Sequence, residues 1–397
     1  MRSLALLFLL LTGTAAADPW EHVAVDNHSS YPALGKLDST YVLVYSKRVE
    51  EGRNLFLRYS KDGLNWSFER RLTRFMGTDY QPSLLVDRRG SCWLAFTRKS
   101  PEKQDYDVFL TTSQDCHNWT EPVPFVQTHT NDWYPYLYQD SAGTYWLLLS
   151  RNVVDDRGRV NSAIFYTRSK DGVQWEELNQ VTRALGAVFP RMVEHRGYYL
   201  LFFSAFTGNW ENLSRINEHN LFVMRSEDGI RWSKGAQISR IPAGKYVLYL
   251  DADTDEEGRV WVAYTSNEGI NEEVYLFSSR DGVSWSLPER VTRNAEYIAS
   301  LREPYGFKCD QKSLLIDGKK FIIAYSCAIS PDEAPMFVAV GTPQYEDTTY
   351  IVANFSIDMR PAKDEFSGEP RDTSGYVAAI LAAALVAVLA LLYHRRR

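Results

Sequence analysis

The sequence is poor in the residues from which metal sites and activated nucleophiles are usually built. Its 397 residues include only seven histidines, which are scattered, and four cysteines. It contains no His-Glu-x-x-His, no Gly-x-Ser-x-Gly and no glycine-rich phosphate loop. No motif therefore supports a zinc protease, a serine hydrolase with a nucleophile elbow or a nucleotide-binding enzyme. We expect no cofactor, although a structural Ca2+ held by acidic loops stays open.

An excess of positive charge is also absent. Lysine and arginine total 44 against 50 aspartates and glutamates, which gives a net charge of −6, and no basic patch stands out. This balance argues against a nucleic-acid partner. Aromatic residues are abundant instead, at 14% of the chain, with 11 tryptophans and 24 tyrosines. The composition is that of a globular protein with unusual tryptophan and tyrosine content.

Apolar runs mark both ends of the chain. Residues 1–17 have the positive start, short apolar core and small-residue cleavage site of a secretory signal peptide. Residues 376–393 are continuously apolar and long enough to span a bilayer, and the basic tail 394–397 follows. That tail predicts a single-pass membrane protein with its C-terminus in the cytoplasm and its N-terminal part outside. Residues 359–375 are typical of a linker. A processed tail, cleaved and replaced by a lipid, is the alternative.

The four cysteines fit an oxidising location. Cys309 and Cys327 flank the predicted turn 317–319 and would lie opposite one another on adjacent strands. Cys92 opens a predicted strand, and Cys116 lies in a hairpin corner of the same unit. We therefore predict the disulfides Cys92–Cys116 and Cys309–Cys327. Buried free thiols are the alternative, since no Cys-x-x-Cys pattern suggests a metal site.

One heptapeptide, Ser-x-Asp-Gly-x-x-Trp, organises the chain. It occurs five times, at intervals of 53 to 57 residues, with Cys116 replacing glycine once. The copies are Ser60–Trp66, Ser113–Trp119, Ser169–Trp175, Ser226–Trp232 and Ser279–Trp285. A β-run precedes each copy, and the Asp and Ser side chains can bond nearby backbone N–H groups in a tight turn. The motif therefore predicts a repeated hairpin corner rather than a row of catalytic acids.

The period predicts an all-β fold, a six-bladed β-propeller with four-stranded antiparallel blades over residues 18–358. The C-terminal transmembrane helix predicted from the apolar run 376–393 follows it. Each unit opens with an aromatic residue or Gln, mostly before Pro, and continues with a strongly apolar second strand. The sixth unit, from about Glu303, lacks the corner motif. We expect residues 349–357 to supply a last strand and 20–25 to pair with it, which would close the ring.

The repeated heptapeptide resembles the Asp-box, or BNR repeat, of the sialidase superfamily, and the resemblance covers most of residues 18–358. It implies that the corners lie opposite the active site. It also implies a catalytic set of three carboxylate-binding arginines, an Asp acid/base and a Tyr nucleophile helped by a Glu. The chain lacks the usual N-terminal Phe/Tyr-Arg-Ile-Pro motif, because its first blade has Tyr31-Pro32-Ala33-Leu34. The nearest look-alike, Phe189-Pro190-Arg191-Met192, is in the fourth blade.

Blade topology independently indicates which residues share the face opposite the corners. Those that end second strands or precede first strands should collect there, so acids, arginines and aromatic rings would converge on a sugar site. The catalytic candidates are Asp79, Asp132, Glu303 and Tyr305. The substrate-binding candidates are Arg48, Arg98, Arg151, Arg191, Arg302, Trp133 and Asp251. The alternative is that these acids satisfy local N–H groups and pair with the arginines.

The sequence thus supports two functions. The first is a membrane-anchored extracellular sialidase-like protein that acts on a glycan or glycoconjugate by hydrolysing a terminal sugar. The second is a non-catalytic cell-surface propeller that binds glycan or protein partners. Three arginines converging beside a Tyr–Glu pair and an Asp would favour the enzyme. Arginines that are each paired with an acid would favour the binding protein.

Overall fold

The computed structural model describes residues 18–361, except 104, 155–157, 184, 207–218, 243, 269–271, 293–307, 329–333 and 345–347. Regular structure in these ranges is β. The strands are β1 (Trp20–Asp26), β2 (Ser29–Leu37), β3 (Thr40–Val49), β4 (Gly52–Ser60), β5 (Arg70–Arg71), β6 (Thr78–Val86), β7 (Cys92–Lys99), β8 (Asp107–Ser113), β9 (Val123–Val126), β10 (Asp132–Gln139), β11 (Tyr145–Val154), β12 (Val160–Ser169), β13 (Asn179–Gln180), β14 (Val188–His195), β15 (Tyr198–Phe206), β16 (His219–Ser226), β17 (Ala236–Gln237), β18 (Val247–Thr254), β19 (Val260–Ser266), β20 (Glu273–Ser279), β21 (Ser284–Ser286), β22 (Glu289–Arg290), β23 (Lys308–Asp317), β24 (Lys320–Ala328), β25 (Met336–Gly341) and β26 (Thr349–Val352).

The strands form antiparallel sheets arranged in a ring. The first strands, β2, β6, β10, β14, β18 and β23, contact one another in cyclic order, and the contact between β2 and β23 closes the circle. In the first five blades, each is followed by two hairpin-connected strands and a shorter outer strand, whereas in the sixth blade β1 takes the outer position. This is the arrangement of a β-propeller with six blades, and the six apolar second strands that the sequence predicts are β3, β7, β11, β15, β19 and β24.

The hydrophobic core is divided among the blade interfaces. Six clusters of buried side chains are present in the described chain, and each joins two neighbouring blades. The largest fully buried side chains are Trp146, Trp261 and Trp285, on the third and fifth blades. Alternate strand residues face opposite neighbours, so one blade contributes to two clusters. Burial of these apolar faces holds the ring together.

Ring closure differs from the sequence prediction. Strand β1 does close the ring, but it pairs with β25, from Trp20 opposite Gly341 to Asp26 opposite Met336. The prediction that residues 349–357 form that partner was wrong. Because β1 takes the outer edge of the sixth blade, the later segment goes elsewhere: β26 pairs with β21 of the fifth blade.

The hairpin corners form as the motif predicts. In the third blade, Asp171 Oδ1 accepts hydrogen bonds from the backbone N–H groups of Val173 and Gln174, both at 2.8 Å. The indole N–H of Trp175 donates to the carbonyl of Gly172 at 3.1 Å. These N–H donors lower the pKa of the Asp171 carboxyl. The repeated aspartates are therefore committed to their own turns.

Both predicted disulfides are confirmed, Cys92 with Cys116 and Cys309 with Cys327. The first ties the start of β7 to the corner of the same blade, and the second joins paired residues of β23 and β24. Within the described ranges, no helix has the length and apolar character needed to cross a membrane, and the predicted span 376–393 lies outside them.

Candidate ligand-binding face

The side of the ring opposite the corners, here called the upper face, is built around five aromatic or glutamine side chains near the axis. Each lies in its blade's first strand with a left-handed φ of 50° to 59°: Tyr31, Gln81, Tyr134, Phe189 and Tyr249. The strand register shifts at each of these positions, so each is a β-bulge that re-aims a side chain. The conformation recurs from blade to blade and is part of the repeat.

These five residues line an axial cavity of about 30 Å³, together with Arg191 and Lys312. A volume of this size accommodates one or two water molecules. Pockets that enclose small organic ligands are about 300 to 1,000 Å³. The axis therefore offers no sugar-sized pocket within the part of the chain that is described, and a ligand here would bind on the surface above it.

The predicted arginine and aspartate of the second blade pair with each other. Arg98 Nε lies 2.6 Å from Asp79 Oδ1 and Arg98 Nη2 lies 2.8 Å from Asp79 Oδ2, a two-point ion pair across strands β6 and β7. The Asp79 side chain is fully buried. Its guanidinium partner also lies over the rings of Phe75 and Phe109, at 4.0 and 4.6 Å from their centroids. The forked face of Arg98 is thus already occupied.

The third blade repeats this arrangement. Arg151 Nε lies 2.6 Å from Asp132 Oδ1, and Thr128 Oγ1 donates to Asp132 Oδ2 at 2.7 Å. Burial raises the pKa of the Asp132 carboxyl, and the guanidinium of Arg151 opposes this shift. Arg151 Nη2 is buried without a hydrogen-bond partner among the described residues. The two carboxyl groups proposed as catalytic acids are therefore both buried against an arginine of their own blade.

Arg191 and Asp251 pair between blades rather than within one. Arg191 Nε lies 2.8 Å from Asp251 Oδ1, which joins the first strands of the fourth and fifth blades. The other oxygen of Asp251 accepts the backbone N–H of Leu314, in the sixth blade, at 2.8 Å. Two predicted substrate-binding residues thus connect three successive blades.

The remaining predicted residues fall into two groups. Arg48 is exposed at the upper end of β3, where it lies opposite Arg53, and it forms no ion pair within the described ranges. Arg302, Glu303 and Tyr305 lie in 293–307, outside the described residues. The structure therefore brings together three Arg–Asp pairs but not a converging set of unpaired arginines in the part it describes.

A continuous row of aromatic rings crosses the upper face, here called the aromatic arc. Tyr31, Tyr80, Tyr106, Trp133 and Tyr134 follow one another with centroid distances of 5.4, 5.4, 5.8 and 6.0 Å. All five are partly exposed and come from the first three blades. The ring of Trp133 is partly exposed, but its indole N–H is buried and has no hydrogen-bond partner among the described residues. Burial, and the contact with Tyr106, raise the pKa of Tyr80.

Several members of this face were not among the predicted site residues, and Tyr106 and Tyr246 are two of them. Tyr106 lies in the loop between β7 and β8. The backbone N–H of Asp132 donates a hydrogen bond of 2.9 Å to the carbonyl of Tyr106, and this contact brings Tyr106 beside Trp133. Tyr246 donates its hydroxyl to the buried carboxylate of Glu272 in the fifth blade. The positions of Tyr106 and Tyr246 depend on how the loops between strands pack, and no periodic pattern in the sequence predicts that packing. No group of three or more His, Cys, Asp and Glu suited to a metal ion occurs within the described chain.

The fold is a β-propeller, and solved structures that include sialidases share it. A protein of unknown function from Dyadobacter fermentans matches with a TM-score of 0.62 at 13% identity, over 82% of this chain and 100% of its own. Trypanosoma rangeli sialidase matches with a TM-score of 0.53 at 13% identity, over 80% of this chain. NanB sialidase from Streptococcus pneumoniae matches with a TM-score of 0.57 at 11% identity, over 79% of this chain.

The chain spans only 55% of the Trypanosoma sialidase and 68% of the NanB chain. At these identities the likeness establishes a shared fold and nothing about activity. No family model and no curated protein matches the sequence.

Proposed function

We propose that this protein is a membrane-anchored, extracellular propeller that binds glycans on its upper face without cleaving them by the sialidase route. The observation that carries the proposal is the pairing of Arg98, Arg151 and Arg191 with buried aspartates. A carboxylate-bearing sugar would have to displace those aspartates, and removing one partner of a buried ion pair is costly. The paired groups hold the blades and leave no arginine clamp among the described residues.

The aromatic arc supplies the binding surface in this proposal. Partly exposed tyrosine and tryptophan rings give a ligand apolar contact area, and the tyrosines add hydroxyl groups, at low conformational cost. The exposed part of the Trp133 ring would stack on a sugar ring, while its indole N–H is buried and faces away from the surface. Glycans as the ligand class are supported by the fold, since two of the similar structures are sialidases. The predicted span 376–393 would hold this face at the cell surface.

A glycan array probed with the full-length protein in detergent tests this proposal. Trp133→Ala should weaken binding to the best glycan about tenfold, as expected for a central aromatic contact. Phe68→Ala is the control, because Phe68 is 98% exposed and lies beside a corner, away from the upper face. Equal losses for both variants, or no glycan bound at all, would contradict the proposal.

Hydrolysis of a terminal sugar is the second candidate, and the Tyr246–Glu272 contact favours it. A tyrosine hydroxyl beside a carboxylate is a pair that can serve as a nucleophile and its base. The full-length protein should be assayed with a panel of fluorogenic glycosides. Turnover that Tyr246→Phe abolishes while Tyr350→Phe retains it would establish the enzyme and replace the binding proposal.

A further inference from the structure

The chain after the sixth blade wraps around the outside of the propeller. This segment, here called the strap, comprises residues 349–360. Its strand β26 pairs with β21 of the fifth blade, and Ile357 exchanges backbone hydrogen bonds of 2.7 and 3.1 Å with Gly235 of the fourth. The carbonyl of Met359 then accepts the N–H of Arg183 in the third blade at 2.9 Å. The strap thus crosses three blades in reverse order.

The strap is packed into the core rather than laid loosely on the surface. Ile351 and Ala353 belong to the cluster between the fourth and fifth blades, and Met359 is 2% exposed in the cluster between the third and fourth. The guanidinium of Arg225 lies 5.7 Å from the ring centroid of Phe355. The point at which the chain leaves the propeller is therefore fixed on its side wall.

The strap and the blade edges it covers, here called the strap wall, expose apolar side chains. Val352 is 61% exposed, Leu287 47% and Ile357 39%; Ile230, in the corner that precedes Gly235, is 47% exposed. These are four of the eight large hydrophobic residues that the described chain exposes. They therefore concentrate on this wall, and a concentration of exposed apolar residues marks an interaction surface.

Exposed cations accompany these residues. Lys234 and Arg290 are exposed beside Gly235 and Leu287, and Arg231 and Arg360 are exposed with partners in Asp228 and Asp358. Apolar residues flanked by Lys and Arg suit the boundary between lipid headgroups and acyl chains. The chemistry of the wall therefore fits a lipid surface better than an aqueous one.

Chain length indicates which lipid surface this is. Fourteen residues, 362–375, separate the last described residue from the predicted span 376–393. Fully extended they reach about 50 Å, close to the diameter expected for a domain of this size. Because the tether starts on the strap wall, that wall can rest on the bilayer with the tether slack, whereas the opposite wall could do so only with the tether almost fully extended.

We infer that the strap wall docks on the membrane that anchors the protein, so that the propeller stands on its edge. Val352, Leu287 and Ile357 would enter the headgroup region. The axis of the propeller would then lie parallel to the bilayer, with the upper face directed sideways along the membrane. Glycans on the same cell surface would then reach the aromatic arc from the side. This inference rests on the membrane anchor of the proposed function but not on the identity of the ligand.

Lipid quenching of a site-specific fluorophore tests the orientation. Full-length Leu287→Cys and Val352→Cys would each carry one thiol-reactive dye, in vesicles of phosphatidylcholine and phosphatidylglycerol containing a headgroup-level nitroxide lipid. Phe68→Cys is the matched control, since Phe68 is an exposed apolar residue on the first blade, across the ring from the fourth. We expect about twofold stronger quenching at the two wall sites than at Phe68→Cys.

A second variant separates docking from local dye effects. Ile357→Asp in the Leu287→Cys background should reduce the quenching at that site, because a carboxylate opposes insertion. Quenching equal to that of Phe68→Cys, or unchanged by Ile357→Asp, would overturn the docking while leaving the anchor standing. Release of the unmodified protein by alkaline carbonate would instead overturn the anchor in the proposed function, and the docking with it.

Discussion

At the scale of single residues, the same side chains that the sequence suggests for a ligand serve the fold. Asp79 and Arg98 are cross-strand neighbours, and so are Asp132 and Arg151, one blade further on. Because both members lie at equivalent positions of a repeat, the pairing follows from blade geometry. A buried Arg–Asp pair contributes little net stability when intact, but it becomes costly when one partner is removed.

Asp79→Asn should therefore lower the free energy of unfolding by about 3 kcal/mol, because it leaves the guanidinium of Arg98 buried without its counter-charge. Denaturant unfolding measured by tryptophan fluorescence checks this value. The matched control is Arg231→Gln, which breaks an ion pair whose arginine side chain is 89% exposed. That change should cost much less, because water around the exposed pair screens its attraction. Equal costs would mean that Asp79 contributes no more to folding than a surface acid.

At the scale of elements, the hairpin corner has two structural roles. It reverses the chain through an aspartate that binds backbone N–H groups, and it presses its glycine against the neighbouring blade. In the third blade a Cβ at Gly172 would lie 2.5 Å from the Trp93 ring, and φ there is +75°. The repeated glycine therefore reflects both the turn and close packing between blades.

Gly172→Ala should destabilise the protein by about 2 kcal/mol more than Gly258→Ala. The two glycines share φ of +75°, but a Cβ at Gly258 meets nothing within 4 Å, so the control isolates the packing term from the backbone term. Thermal unfolding followed by circular dichroism measures both. If the two variants have the same melting temperature, the close approach of Trp93 does not limit the residue at this corner.

At the scale of the whole molecule, carboxylates spaced around the ring make the free energy of unfolding depend on pH. Backbone and side-chain donors lower the pKa of all five corner aspartates, Asp62, Asp115, Asp171, Asp228 and Asp281. A lowered pKa contributes stability above the unfolded value of about 4, and this contribution is lost as the pH falls below it. Burial also lowers the pKa of His22 and His195. Because these histidines bind protons more readily in the unfolded state, they reduce the free energy of unfolding as the pH falls below about 6.5.

The free energy of unfolding should accordingly fall most steeply below about pH 4, where the corner carboxylates take up protons on unfolding. Between about pH 7 and pH 4 the loss from the two histidines is opposed by buried Asp253, because burial raises the pKa of its carboxyl to about 7. In the double variant Asp171→Asn/Asp228→Asn it should be smaller at neutral pH and should decline less steeply below about pH 4, because two of the coupled carboxylates are gone. Urea titrations across this range provide the measurement. Glu177→Gln, at an exposed position of the third blade, is the control and should retain the original slope. A double variant with the parental slope would refute the role of the corners.

Much of the fold is predictable because its signals are local and repeated. The spacing of Ser60–Trp66 and its four counterparts predicts the blades and the corners, and strand pairing around the turn at Gly318 predicts the Cys309–Cys327 disulfide. Each of these depends on residues close together within one unit. Turn chemistry and alternation act over a few residues, so they are visible in the sequence itself.

What the sequence did not determine depends on contacts between distant segments. It left open whether Arg98, Arg151 and Arg191 face a ligand or an aspartate, and the tertiary structure pairs all three. It also placed residues 349–357 on the wrong blade, because several outer edges accept a short strand equally well by pattern. Because β1 occupies the free edge of β25, the strap pairs with the fifth and fourth blades instead. Competition for one sheet edge is decided by packing across the whole ring, which no local pattern encodes.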